Sequence, residues 1–409
     1  MSPPGKWFTC TPLRFKGDHT FFARDSGLLC KGFQEIGVAC KVIMPGPPMD
    51  DDQTEDLIRT DYRNLEDAAW WRSLCGEGVI FYGWGDGRYL SIVRAIKAAG
   101  LILITNLDTG GLFSMVNGPC AYTGSLWRGT MGRRGINLKS LTYFVYRVAY
   151  SASLRIARVD YPRAQHLKVA DIVGSVSPLA MERIQKVCRI YGGQRLASKV
   201  RLIPHANASY MADDPLVARQ RMLIAVGRWD DEKVKGTDLL LATVEELVER
   251  DPQLLIEIYG TCAAKMGAWH QRLAPAARVR VRLVGVVANS ELRLAMQRAR
   301  ISLCTSLGES FHIASAEALC SGCSVVGPDV PEIPSMQWFT SGPYGTLGPR
   351  TARGLSSAVL VELKAWDDGE RDAPAISKHW SGLLHAPRVA ERILGLAAEL
   401  KGARTQPDL

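Results

Sequence analysis

The 409-residue sequence has no long apolar run. Its apolar stretches are interrupted well short of the ~20 residues that a membrane-spanning helix needs. Residues 141–156, for example, carry Arg147 and Arg155. Met1 to Trp7 is polar and proline-rich, with no apolar segment behind it to act as a secretory leader. A cytoplasmic location is the expectation. The ten cysteines are irregularly spaced, and several, such as Cys40 and Cys304, lie inside apolar runs. That pattern excludes a disulfide framework and fits reduced, buried thiols. Cys320 and Cys323 form a lone CxxC with no second ligand pair to complete a zinc site. The aspartate pairs Asp230-Asp231 and Asp367-Asp368 fall in loops and make no Asp-x-Asp metal site. No Gly-x-Gly-x-x-Gly follows a strand, which argues against a dinucleotide enzyme. Neither metal nor cofactor is expected, and no repeat or low-complexity tract is present.

What is there begins with charge. The formal net charge is +9. Much of the excess lies between Trp127 and Arg163, where Arg128, Arg133, Arg134, Lys139, Arg147, Arg155, Arg158 and Arg163 face one acid, Asp160. Leu141, Tyr143, Phe144, Tyr146, Val148 and Tyr150 are interleaved with them. A basic amphipathic helix of this composition suits an anionic membrane surface, which would make the protein peripheral at the inner face. A solvated face of a packed helix fits equally, as does pairing of the arginines with the acidic stretch Asp50 to Asp56. No motif for nucleic acid accompanies the charge.

Length suggests two domains. In the first half, Lys6 to Thr11, Val38 to Met44, Gly78 to Tyr82 and Leu101 to Thr105 are of strand length, with helices from Ser26 to Ile36 and up to Ala99. The second half repeats the alternation more clearly. Met222 to Gly227, Leu254 to Tyr259, Val281 to Val284, Ile301 to Cys304 and Ser324 to Val326 read as strands. Gly236 to Arg250, Glu291 to Ala299 and His312 to Cys320 read as helices. Ile203 to Pro215 has the composition of a linker. A helix from Thr351 to Trp366, an acidic loop and a last helix from Pro387 to about Lys401 close the chain. Such alternation predicts α/β, doubly wound parallel sheets. The expected division is 1–205 completed by 380–409, with 206–379 as the second domain.

Parallel sheets bind ligands at the carboxyl ends of their strands. After Met222 to Gly227 come Arg228, Lys233, Lys235 and Gly236 ahead of a helix, a suitable place for a diphosphate. An ordinary surface Arg and Lys fit the same spacing. After Ile301 to Cys304 come Glu309, Ser310, Phe311, His312, Ile313 and, eight positions beyond the first glutamate, Glu317. Glu317 sits among Ala314, Ala316, Ala318 and Leu319, where a carboxylate is costly unless donors such as sugar hydroxyls reach it.

Gly-Arg…Lys-Gly followed by Glu-x7-Glu-Ala-Leu-x-x-Gly-x-x-Val-Val resembles the donor-binding domain of retaining, family-4-like GT-B glycosyltransferases. The likeness is strongest over Met222 to Pro328, moderate over Ala170 to Asn207 and weak over the first 165 residues. It implies two Rossmann-like domains facing a cleft, and transfer of a hexose-like sugar from a nucleotide diphosphate to an acceptor hydroxyl on a glycan or lipid-linked glycan, without a metal. Carried across, Arg228 and Lys235 hold the diphosphate, and Lys235 is favoured over Lys233 because it directly precedes the glycine. Glu317 binds the ribose, and Glu309 the donor sugar. Backbone amides near Phe311 and His312 face sugar or phosphate, with Ser310 and Ile313 beside them, and Gly27 lies close to the phosphate. The chain departs from the family at Ser310 to Ala314, where His312 replaces a small residue. It departs again after Leu101 to Thr105, where Asp108 stands in place of an acceptor-side histidine; His19 is a second candidate there. A non-catalytic nucleotide-sugar-binding protein of the same fold is the alternative.

Overall fold

The computed structural model describes residues 5–405, except for the side chains of 132–134, 233 and 403–405. The chain divides into two compact units: unit 1 comprises Met1–Ala208 with Leu384–Leu409, and unit 2 comprises Ser209–Leu383.

Unit 1 is built on seven parallel strands: β1 (Trp7–Cys10), β2 (Cys40–Pro45), β3 (Leu57–Thr60), β4 (Gly78–Phe81), β5 (Ile102–Leu107), β6 (Ile172–Ser175) and β7 (Val200–Leu202). Their order across the sheet is β3-β2-β1-β4-β5-β6-β7. Helices cover both faces, so inner strands such as Ile102–Leu107 are buried at every position. The last helix, Ala386–Thr405, packs on the Asp25–Glu35 helix, and its Val389, Ala390, Ile393 and Ala397 are all 0–1 % exposed. Burying each Val or Ile contributes roughly 1.5–3 kcal/mol. The two helices approach so closely at Gly32 that a Cβ there would lie 2.4 Å from the Ala386 carbonyl. Asn207 pairs with the same segment, donating its N–H to Leu384 O at 2.7 Å and accepting from Ala386 N at 2.8 Å.

Unit 2 has six parallel strands: β8 (Gln220–Val226), β9 (Leu255–Tyr259), β10 (Val281–Gly285), β11 (Ala299–Leu303), β12 (Ser324–Pro328) and β13 (Gly345–Gly348). Their order is β10-β9-β8-β11-β12-β13. In each sheet the order reverses beside the first strand, between β1 and β4 and between β8 and β11. Such reversals splay neighbouring loops apart and open a place for ligands at the strands' carboxyl ends.

Several expectations from the sequence are corrected. Ile203 to Pro215 does contain the division between the units, at Ala208/Ser209, but it is a packed connection in which Pro204 to Ala208 and Met211 are buried. The basic segment is not one helix. It forms Pro119–Arg134 and Leu138–Ala152, separated by Gly135 at φ 69°, and then a π-helical turn, Ile156–Asp160, leading into Tyr161–Val169. Among the described residues the acidic stretch pairs elsewhere: Asp51, Asp52 and Asp56 pair with Lys16, Arg59 and Lys31. The side chains of Arg133 and Arg134 lie outside the described residues. The loop expected before the last helix contains another helix, Ala373–Leu384. Its Pro374 occupies the first turn, where a missing N–H costs nothing. Of the ten free cysteines, Cys75, Cys120 and Cys262 are exposed rather than buried.

Candidate functional site

In unit 2 the loops after β8 and β11 are fastened to each other. Trp229, 2 % exposed, anchors the first by donating from Nε1 to Tyr259 O at 2.8 Å. Thr237 Oγ1 donates to Trp229 O at 2.8 Å, which fixes the start of the Thr237–Arg250 helix. The loop then makes one helical turn, Glu232–Lys235, and ends on Gly236 in the left-handed region at φ 66°, ψ 44°. A Cβ at Gly236 would lie 2.1 Å from Thr305 O, so glycine is required for the dihedrals and for the close approach alike. Leu307 N donates to Val234 O at 2.8 Å and Thr305 Oγ1 to Lys235 O at 3.0 Å.

This fastening brings Lys235 to Glu309. Nζ lies 2.5 Å from Oε1, with the two side chains 16 % and 18 % exposed. Ser306 Oγ also reaches Oε1, at 3.3 Å. A largely buried ion pair thus sits at the carboxyl ends of β8 and β11, where the strand order reverses. Arg228 is positioned differently. Its side chain is 68 % exposed, with Asp231 at 3.8 Å.

The other residues named from the sequence take distinct places. Phe311 is 3 % exposed and packs edge-on to Phe339, so it anchors the loop from inside. His312 caps the Ile313–Cys320 helix: Nδ1 accepts from Ser315 N at 3.2 Å, and the His312 amide donates to Ser335 Oγ at 3.3 Å. That amide is therefore turned inward, not toward a ligand as expected. Ser310 and Ile313 are half-buried, as is Glu317 on the helix. Glu317 lies near Tyr210, whose hydroxyl is pushed up first by burial and then by the glutamate charge. Tyr210 was not singled out from the sequence, because nothing at position 210 marks a strand end or a motif.

The His312 imidazole is pushed down to about 4, chiefly by burial, with Lys235 lowering it further and Glu309 opposing. An unfolded histidine titrates near 6.5. The unfolded chain therefore binds a proton where the folded chain does not, and stability is lost as pH falls from 6.5 toward 4. The expected loss from this residue is on the order of 3 kcal/mol. Urea unfolding of wild type and His312→Asn at pH 7 and pH 4.5 measures it, since asparagine can still cap a helix. The wild type loses more stability than the variant on acidification. An equal loss in both would contradict a neutral, buried His312.

Unit 1 has a cavity of about 420 Å³ at its own strand-order reversal. Thr11 follows β1, Tyr82 and Trp84 follow β4, Asp108 follows β5 and His205 follows β7; all line it, with Asp25 at the start of the Asp25–Glu35 helix. His205 is 5 % exposed, with Nε2 3.0 Å from Asp108 Oδ1 and Nδ1 3.9 Å from Asp25 Oδ1. Burial opposes its charge, but Asp108 and then Asp25 outweigh this and raise its pKa overall. Burial, followed by the charges of Asp25 and Asp108, drives the Tyr82 hydroxyl well up. Asp25 has φ 46° and Trp84 φ 52°, two of the three non-glycine residues with positive φ among those described. Left-handed backbone at such residues costs of order 1–3 kcal/mol each and gathers at functional sites. His205 was missed because its surroundings read as a linker; the strand-end rule applied to β7 would have found it. Gly27 is buried, and a Cβ there would lie 2.5 Å from Phe21 O, so packing alone requires the glycine. His19 is exposed and lies outside the residues lining the cavity. Among the described residues no group of three or more His, Cys, Asp or Glu is placed to hold a metal, and no helix is long and apolar enough to cross a membrane.

Residues 220–360, which contain the Lys235–Glu309 pair, match the family model described as "Glycosyl transferases group 1". No curated protein matches the chain by sequence. Solved structures match along its whole length. HepE of Anabaena in complex with UDP has a TM-score of 0.61 and 14 % identity, over 96 % of this chain and 100 % of that one. The lipopolysaccharide outer core galactosyltransferase WaaB has 0.61 and 12 %, over 97 % and 99 %. The pneumococcal O-GlcNAc transferase GtfA in complex with UDP and GlcNAc also has 0.61 and 12 %, over 97 % and 99 %. At such identities the likeness is one of fold, and the fold is GT-B: two Rossmann-like units, each on a parallel sheet.

Proposed function

We propose that this chain is a retaining glycosyltransferase that moves a sugar from a nucleotide diphosphate to an acceptor hydroxyl. The observation that carries the proposal is the Lys235–Glu309 pair, held by the Gly236 turn at the strand-order reversal of the unit that matches the group 1 family. Departure of a nucleoside diphosphate concentrates negative charge on its phosphates. A fixed, largely buried ammonium stabilises that charge without reorganising. Arg228, exposed on the preceding loop, supplies a second cation and leaves no need for a divalent ion. Glu309 keeps Lys235 in place and contacts the donor sugar. Glu317 takes the ribose hydroxyls, and the Glu309–Glu317 spacing supports retention through its resemblance to that class of enzyme. UDP, bound in HepE and GtfA, is the first nucleotide to try.

Replacing Glu317 with alanine removes charge-assisted hydrogen bonds to the ribose and weakens UDP binding by about 1.5–3 kcal/mol, roughly ten- to 150-fold in Kd. Calorimetric titration with UDP checks this, and wild-type affinity in the variant would refute the ribose assignment. Release of UDP from a panel of UDP-sugars, followed by mass spectrometry, separates an enzyme from a protein that only binds the donor.

The acceptor side of the proposal is a lipid-linked glycan at an anionic membrane surface. The Leu138–Ala152 helix buries Ser140 and Ser151; Tyr122 and Ser151 share a hydrogen bond at 2.9 Å, and Trp127 meets Phe144 edge-on at 5.1 Å. Its outer stripe is Leu138, Leu141, Val145, Ala149 and Ala152, at helical spacing and all exposed. An outward apolar stripe flanked by the exposed Lys139 is the pattern of an interfacial helix.

A further inference from the structure

We propose that a second cavity of unit 1, at the amino ends of β6 and β7, binds a phosphate monoester through Lys168, Arg195 and Lys199.

This cavity has a volume of about 380 Å³ and is lined by Lys168, Gly192, Arg195, Leu196 and Lys199. Lys168 stands in the last turn of the Tyr161–Val169 helix, ahead of β6. Arg195 stands in the last turn of the Pro178–Ala197 helix, and Lys199 directly precedes β7. His205 follows the other end of β7, so the two cavities of unit 1 open at opposite ends of its strands.

Two glycines shape the wall. Gly193 has φ 65° and ψ −166° and breaks the Pro178–Ala197 helix just before Arg195. That region of backbone is essentially reserved for glycine, and such strain gathers at ligand sites. At Gly192 a Cβ would lie 2.5 Å from Leu196 Cβ and 2.6 Å from its Cδ2, so bare backbone has to line the cavity there.

The ligand class follows from charge. Among the described residues three cations and no acid line the cavity. Lys199 is half-buried, and its Nζ donates to Lys168 O at 2.9 Å and Ala170 O at 2.7 Å. An ammonium has three N–H donors, so one is left for a ligand. Burial lowers the pKa of Lys199; Asp171 opposes this, while Arg195 and Lys97 lower it further. Asp171 is itself engaged, accepting from Lys97 Nζ at 2.6 Å and from Leu103 N at 2.9 Å. Lys168 and Arg195 are exposed, and among the described residues no ion pair joins either to an acid. The protein thus gathers positive charge here without a counter-ion of its own. A phosphate monoester carries about −1.5 to −2 charge at neutral pH and three strong acceptor oxygens, which matches three cations better than a single carboxylate does. The planar guanidinium of Arg195 suits it as a bidentate partner. Leu196 is the one large apolar side chain in the lining, and the volume is near the low end for small-molecule sites, so the group carried by the phosphate is small or polar.

Calorimetric titration of the full chain with inorganic phosphate and with glycerophosphate, at constant ionic strength, tests the proposal. All proteins carry Lys235→Ala, so that phosphate binding at that lysine does not mask the result. Both probes are expected to bind. Lys168→Gln combined with Arg195→Gln is expected to weaken both about tenfold, the order of effect of losing charge-assisted hydrogen bonds. Both positions are exposed, so the fold is retained, and thermal unfolding checks this. Vesicles containing phosphatidic acid present the same monoester on a lipid, and vesicles of equal charge containing phosphatidylglycerol present only a diester. Sensitivity of the soluble probes to the double substitution assigns the site to a small phosphorylated molecule. A loss confined to phosphatidic acid vesicles assigns it to a lipid headgroup. The proposal is overturned if neither the soluble probes nor the phosphatidic acid vesicles bind. It is equally overturned if the double substitution leaves their binding unchanged, or weakens only vesicle binding and does so equally for the two lipids.

Discussion

Lys235→Ala will lower the rate of sugar transfer at saturating donor about 10²- to 10³-fold, the loss seen when one preorganised group facing developing charge is removed. Two effects act together. The departing diphosphate loses the cation that the Gly236 turn holds in place. Glu309, whose side chain is 18 % exposed, loses its counter-charge and then faces the donor as an unpaired anion. Binding of UDP should fall less than the rate, because much of the charge is delivered only as the bond to the sugar breaks. Replacing both residues, Lys235→Ala with Glu309→Gln, should cost less than the product of the two single losses, since the pair is coupled. Initial rates of UDP release with a competent UDP-sugar measure all of this, and thermal unfolding confirms that the variants fold. A Lys235→Ala turnover within fivefold of wild type would remove Lys235 from the mechanism.

A loss of similar size is expected when the outer stripe of the Leu138–Ala152 helix is made polar. Leu138 is 79 % exposed and Val145 58 % exposed, so Leu138→Asp with Val145→Asp alters no core packing. Surface changes of this kind usually shift stability by no more than about 0.5 kcal/mol. On a lipid surface each side chain would instead be buried among acyl chains, a gain of roughly 1.5–3 kcal/mol apiece. The double variant should therefore bind vesicles of mixed phosphatidylglycerol and phosphatidylcholine on the order of 10²- to 10⁴-fold more weakly. Lys139→Glu should weaken binding in proportion to low salt, with little effect at high salt, since that contribution is screened over about 10 Å at 0.1 M. Co-sedimentation gives both answers. No sedimentation of the wild type with anionic vesicles at low salt would leave a soluble acceptor as the better account of the charge.

The sequence disclosed the parts of this molecule that depend on local pattern. Central strands such as Leu103–Ile104 and Leu223–Ala225 are unbroken apolar runs because both faces are covered, and they could be read directly. Two of the edge strands could not, although Val281–Gly285, also at an edge, could. Leu57–Thr60 is short and follows an acidic loop, and Gly345–Gly348 carries two glycines. In unit 2, Lys235 and Glu309 were legible because each follows a strand within a spaced motif. Their contact was not, since it depends on a carbonyl at Thr305 meeting Gly236. His312 looked like a group facing the sugar, yet it is drawn inward by Ser315 and Ser335, residues whose approach no local spacing announces. The His205 constellation was the least legible, because Asp25, Asp108 and His205 are distant in sequence and meet only when the sheet forms.

Unit 1 is discontinuous in sequence: the helix that covers Asp25–Glu35 begins at Ala386, beyond the whole of unit 2. On the ribosome the order of synthesis and the order of completion therefore differ. Unit 2, made from one uninterrupted stretch, can finish folding while the first-made sheet still presents the uncovered flank around Gly32. That flank stays open until Val389, Ala390 and Ile393 leave the exit tunnel, and such transiently bare surface is where nascent chains aggregate or recruit chaperones. A stop codon or proteolytic cut shortly before Ala386 would thus spare every residue of the Lys235–Glu309 site while leaving the early half of the chain unable to mature.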